Sequence, residues 1–97
     1  MFPNDKDLDN VVAILKMLAD PTRLKIVFAL MEGDKCVGDL VRLVGPTQSA
    51  ISHQLTTLRN SNLIKSTKFG NRVMYSVADE HVNQVVELCL THAKEIK

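Results

Sequence analysis

The chain has no tryptophan, one tyrosine and three phenylalanines, so aromatic residues account for 4% of its 97 positions. Apolar residues nonetheless reach 45%, which calls for a core of Val, Ile and Leu packed between helices. No apolar run approaches the roughly 20 residues of a membrane span, and the opening "MFPNDKDLDN" lacks the basic-then-apolar order of a signal peptide. A cytoplasmic protein with no membrane partner is expected. Two cysteines, Cys36 and Cys89, are too few for a disulfide framework and read as reduced thiols. A chain this short forms one domain, residues 1–97, and buries a modest share of its surface alone, so a core shared with a second copy would help it.

Acid is missing from one stretch. Residues 40–78 contain Arg42, Arg59, Lys65, Lys68 and Arg72 and no Asp or Glu. That segment carries +5 within a chain whose net charge is +1, so the remainder carries −4. Such an asymmetry suits a face that meets a polyanion. Five scattered, solvated bases are the plainer reading of the same residues.

The apolar periodicity then orders the chain. In residues 6–18, Val11, Ile14, Leu15 and Leu18 stand at helical spacing. Asp20 suits an N-cap and Pro21 a first helical position, and a stripe of Leu24, Val27, Phe28 and Met31 runs to Gly33. "CVGDLVRLVG", residues 36–45, reads as a short helix closed by Gly45. Thr47 can cap a further helix to about Asn60, with Ile51, Leu55 and Leu58 on its inner face. The period changes to two in "LIKSTKFGNRVMYSVAD", where Gly70-Asn71 can supply the positive φ angles of a tight hairpin. A last helix from about Glu80 carries Val82, Val85, Val86, Cys89, Ala93 and Ile96 on one stripe. The expected fold is mainly α with a small β-hairpin, in the order α-α-α-α-β-β-α: a winged helix-turn-helix with helices added at both ends.

"LADPTRLKIVFALMEGDKCVGDL", "QSAISHQLTTLRNSNLI" and "KFGNRVMYSV" together resemble the ArsR–SmtB family of metal- and stress-sensing bacterial repressors, over nearly the whole chain. The resemblance implies a homodimer joined through the first and last helices. On the helix after Thr47, Ser49, Ser52, His53 and Thr56 follow the i, i+3, i+4, i+7 pattern and, with Gln48, present short amide, hydroxyl and imidazole groups suited to base edges in the major groove of double-stranded DNA. Arg42, Arg59, Lys65, Lys68 and Arg72 are placed to meet phosphates, which fix register and affinity without reading sequence. A two-fold dimer would require an inverted-repeat operator, its half-sites about one or two helical turns apart.

The last helix also carries chemistry at both ends. Asp79 and His81 open it; His92 and Glu95 close it. Eleven residues separate the two histidines, a rise of about 16 Å with only about 20° of rotation, so they share a face but not an ion, since metal–nitrogen bonds are about 2.0 Å long. If the helix pairs antiparallel with its copy, the Asp79–His81 end of one chain meets the His92–Glu95 end of the other, and the axis generates two sites of two nitrogen and two oxygen ligands. That set suits Zn²⁺, or Co²⁺ in its place; Ni²⁺ usually seeks five or six ligands. The plainer reading makes Asp79 an N-cap and the other three solvated surface. The spacing D-x-H-x10-H-x2-E is similar to the interhelical zinc site of zinc-sensing members of the family, and the resemblance implies a repressor released from DNA when metal binds.

Thiol-using members of the family, which answer arsenite, cadmium or lead, carry a second Cys where this chain has Gly38. Cys36 alone makes no multi-thiolate site, and Cys89 reads as part of a dimer core. Thiol oxidation, a nickel or cobalt response, and constitutive repression without metal are the alternative regulatory readings. An enzyme is not expected: catalytic zinc keeps an open position in a cleft, whereas here four ligands fill the shell at a dimer surface and no small-molecule substrate is implied.

Overall fold

The computed structural model describes residues 1–96. Its elements are α1 (Asp5–Leu18), α2 (Pro21–Met31), α3 (Val37–Val44), α4 (Gln48–Asn60), β1 (Ile64–Phe69), β2 (Arg72–Val77) and α5 (Glu80–Glu95). This is the expected order, and the starts of four helices have a local cause. Asn4 Oδ1 accepts the Asp7 N–H at 2.8 Å to open α1, and Asp20 Oδ2 accepts the Arg23 N–H at 2.9 Å with Pro21 following to open α2. Thr47 Oγ1 caps α4 through Ala50 N–H at 3.1 Å, and Asp79 Oδ1 caps α5 through Val82 N–H at 3.3 Å.

Helix α2 lies in the middle, against α1, α3, α4 and β2. It therefore buries more than the single stripe expected from its periodicity. Ile26, Val27, Ala29 and Leu30 are buried, while Leu24, Phe28 and Met31 are half-buried. A helix covered on several sides is apolar nearly all round, and no one stripe describes it. Leu40 of α3, and Ile51, Leu55 and Leu58 of α4, close the core from below. The outer helices contribute little: α1 buries Leu18 alone, and α5 buries Val82 and Val86. Val11 (48% exposed) and Leu15 (52%) on α1, and Leu88 (69%) on α5, face outward.

The wing is a two-stranded antiparallel hairpin in which Phe69 pairs with Arg72 across a two-residue turn. Gly70 has φ 60°, but Asn71 does not share the left-handed region, since Asn62 is the one non-glycine there among the described residues. A single positive φ at the first central position is the pattern of a type II′ turn, which needs no second one. The base of the wing is tied to the α2–α3 loop by reciprocal backbone bonds between Lys35 and Tyr75, at 3.1 and 2.8 Å.

Asn62 ends α4. With Asn62 at φ 61°, its N–H donates to the Arg59 carbonyl at 3.0 Å, and Leu63 N–H reaches back to the Leu58 carbonyl at 3.1 Å. These two bonds form a Schellman motif, and buried Leu58 and Leu63 occupy the positions of its usual apolar contact. Asn tolerates the left-handed region where a plain Cβ costs about 1–2 kcal/mol. Asn62→Ala should lower the free energy of unfolding in urea by about that amount, and Asn62→Gly should not. Equal losses from the two substitutions would remove backbone strain as the reason for Asn at this position.

Candidate nucleic-acid face and metal half-sites

Helix α4 turns Ile51, Leu55 and Leu58 inward, which leaves its other side to solvent. Gln48, Ser49, His53 and Thr56 are exposed there, and Ser52 is half-buried. Part of this polar row is occupied within the helix: Thr56 Oγ1 donates to the Ser52 carbonyl at 3.1 Å, and Ser49 Oγ lies 3.4 Å from the capping Thr47 Oγ1. Their remaining lone pairs, the Gln48 amide and the His53 ring face outward with no side-chain partner recorded among the described residues.

The five bases behave differently from one another. Lys65 and Lys68 on β1 are exposed, and Arg59 extends from the last turn of α4 to Ser66 Oγ at 3.4 Å, joining that helix to the wing. Arg42 and Arg72 instead converge on the start of α3. Asp39 Oδ2 accepts both the Cys36 N–H and the Cys36 Sγ–H, each at 3.2 Å. Arg42 pairs with the other oxygen of Asp39, and Arg72 Nη2, arriving from the wing, donates to Cys36 Sγ at 3.4 Å. The Cys36 thiol and N–H hold the Asp39 carboxyl below its ordinary value, with the Arg42 and Arg72 charges adding to the effect against slight desolvation. Cys36 is thus an anchor between the wing and α3, a contact 36 residues apart in the chain that no spacing rule announces.

On α5, His81 and its capping Asp79 sit together. His81 Nδ1 lies 3.5 Å from Asp79 Oδ1, with side chains 88% and 55% exposed. For bonds of about 2.0–2.2 Å at tetrahedral angles, two ligands of one zinc ion lie roughly 3.4 Å apart, so this carboxylate and imidazole fit one edge of such a site. His92 and Glu95 are exposed on the last turn of the same helix. Among the described residues, no three His, Cys, Asp or Glu side chains converge within one protomer. The Asp79–His81 end borders a groove of about 580 Å³ that runs between Ile14 and Met17 of α1, Asn62 after α4, and Val85 of α5. Ala78 N–H donates to the Leu63 carbonyl at 3.0 Å, which joins the start of α5 to the end of α4.

Residues 20–66 match the family described as "Bacterial regulatory protein, arsR family". The cadmium resistance transcriptional regulatory protein CadC homolog of Staphylococcus aureus is 39% identical over 90% of this chain and 73% of its own length. The transcriptional repressor SmtB homolog of Synechocystis is 41% identical over 80% of this chain and 59% of its own. Among solved structures, the homodimeric winged helix-turn-helix DNA-binding domain from Mycobacterium bovis superposes with a TM-score of 0.87 at 28% identity, covering 97% of this chain and 89% of that one. These relatives are regulators, not enzymes.

The Asp39 cluster makes a pH prediction. A carboxyl whose folded value is depressed stabilises the fold above its ordinary value of 3.8, and that contribution is lost as pH falls through the lower folded value. Acid unfolding followed by circular dichroism should therefore show a shallower loss of stability below pH 3.8 in Asp39→Asn than in the parent. Identical acid limbs would mean that the cluster does not persist in solution.

Proposed function

Because the chain belongs to the arsR family of bacterial regulatory proteins, we propose that it is a zinc-responsive repressor, a homodimer that holds an inverted-repeat operator and lets it go when metal occupies sites between the two α5 helices. The observation that carries the metal reading is the 3.5 Å separation of Asp79 Oδ1 and His81 Nδ1 on an open surface, the distance two ligands of one tetrahedral ion require. His92 and Glu95 of a second copy, brought alongside by antiparallel pairing of α5, complete the set. Bound zinc supplies four bonds that cross-link the two chains.

The chain's own residues account for the rest. The exposed apolar faces of α1 and α5 support pairing with a second copy. Gln48, Ser49, Ser52, His53 and Thr56 read base edges from α4, while Lys65, Lys68 and Arg59 meet phosphate, joined by Arg42 and Arg72 from their cluster on α3. Ala78 N–H on the Leu63 carbonyl delivers a displacement of the Asp79–His81 end to the C-terminus of the reading helix. Cobalt is a fitting spectroscopic substitute for zinc; two nitrogens and two oxygens leave nickel short of its usual shell. The thiol reading is weaker, because Cys36 Sγ is already held by Asp39 and Arg72 and only one other cysteine exists in the chain.

Linkage between the two ligands tests this directly. With an operator selected from a randomised duplex library, zinc should weaken DNA binding at least about fivefold, and operator should weaken zinc binding by the same factor. His92→Ala should keep operator affinity and lose the response. Zinc affinity should fall on acidification, because protons compete with the metal for its nitrogen and oxygen ligands. Operator affinity indifferent to both zinc and chelator would make the chain a constitutive repressor and end the zinc reading.

A further inference from the structure

The polar groups that the readings above leave unused include one that joins three helices. Arg23, in the first turn of α2, donates from Nε to the Met17 carbonyl at 2.7 Å and from Nη1 to Gln54 Oε1 at 3.1 Å. Met17 lies in the last turn of α1, where carbonyls lack intrahelical donors and a cation also meets the negative end of the helix dipole. Gln54 lies on α4, about 160° round the helix from Ser52 and Thr56, on the back of the polar row. Both Arg23 and Gln54 are half-buried. Among the described residues, no other side-chain hydrogen bond joins α1 or α2 to α4.

We infer that Arg23 is a positioning residue, a clamp that references the reading helix α4 to the pairing helix α1 and so sets the distance between the two reading helices of a dimer. This rests on the DNA-binding dimer proposed above. Ile51, Leu55 and Leu58 hold α4 against the core, but apolar contacts are non-directional and tolerate small rotations and slides. A planar guanidinium with donors in a fixed fork does not. One arm of that fork is fixed to the end of α1 and the other to the back of α4, so a rotation of α4 must stretch or break a bond to a charged, partly desolvated group. Lysine, a single point charge, cannot hold both acceptors in the same geometry.

The test is operator spacing. Gln54→Met keeps length and bulk but removes the acceptor, and Gln54→Glu restores one. For the parent and both variants, thermal unfolding is measured together with affinity for an isolated half-site and for inverted repeats with the half-sites moved apart by one and two base pairs. The expected result is that Gln54→Met keeps its melting temperature and half-site affinity close to the parent's, while its preference for the best spacing falls at least about fivefold, the lower end of typical coupling. Gln54→Glu should recover that preference. A spacing preference unchanged in Gln54→Met would overturn the clamp, as would a loss that tracks melting temperature across all DNA. A parent chain with no spacing preference at all would overturn the inverted-repeat dimer, and the clamp with it; because that outcome shows in the parent alone, the two failures are distinguishable.

Discussion

Helix α5 buries Val82 and Val86 against its own protomer and leaves Val85, Leu88, Leu90 and Ile96 open to solvent. Its chemistry-bearing residues have the same character. Asp79 and His81 lie together at one end, His92 and Glu95 at the other, and sixteen residues of helix hold the ends apart. A rigid rod cannot bring its ends to one ion, and an amphipathic helix cannot cover its own exposed stripe. A single arrangement would meet both, a second copy of the helix laid antiparallel across it. This coincidence of apolar need and ligand placement is the physical basis of the dimeric, metal-responsive reading.

The path from that helix to the reading helix is short. Asp79 follows Ala78, whose N–H is bonded to the Leu63 carbonyl, and Leu63 N–H in turn closes the Schellman turn on Leu58 at the end of α4. Leu58, Leu63 and Ile64 are all buried, so the junction is packed as well as hydrogen-bonded. On the opposite side of α4, Arg23 supplies the fixed reference to α1. Helix α4 is thus tied to α1 from behind, through Arg23, and to the start of α5 at its end.

Much of this fold is legible in the sequence because its signals are local. Asp20-Pro21, Thr47 and Asp79 mark helix starts by chemistry that acts within three residues, and each acts in that way in the structure. The register of the wing follows from Gly70, although the turn needs one positive φ where two were expected. Helix α2 is harder to read, since a stripe analysis assumes one solvated side and this helix has several neighbours. The pairing of Arg72 with Cys36, and of Arg23 with Gln54, join residues 36 and 31 positions apart through tertiary packing. Nothing in local pattern announces these partners, or that of Arg59 with Ser66; only the folded chain shows which residue each arginine reaches.

The proposed pairing of two α5 helices is open to one decisive measurement, the ligand-field absorption of Co²⁺ in a mixed dimer. One chain carries Asp79→Asn, which keeps the helix cap, together with His81→Ala; the other carries His92→Ala and Glu95→Ala. Neither homodimer retains a complete set of ligands, whereas the mixed dimer retains one set, Asp79 and His81 from one chain with His92 and Glu95 from the other. Intense tetrahedral bands absent from both parents, and saturating at one ion per mixed dimer, are the predicted result. Bands in either parent alone, or none in the mixture, would contradict a site shared between the two α5 helices.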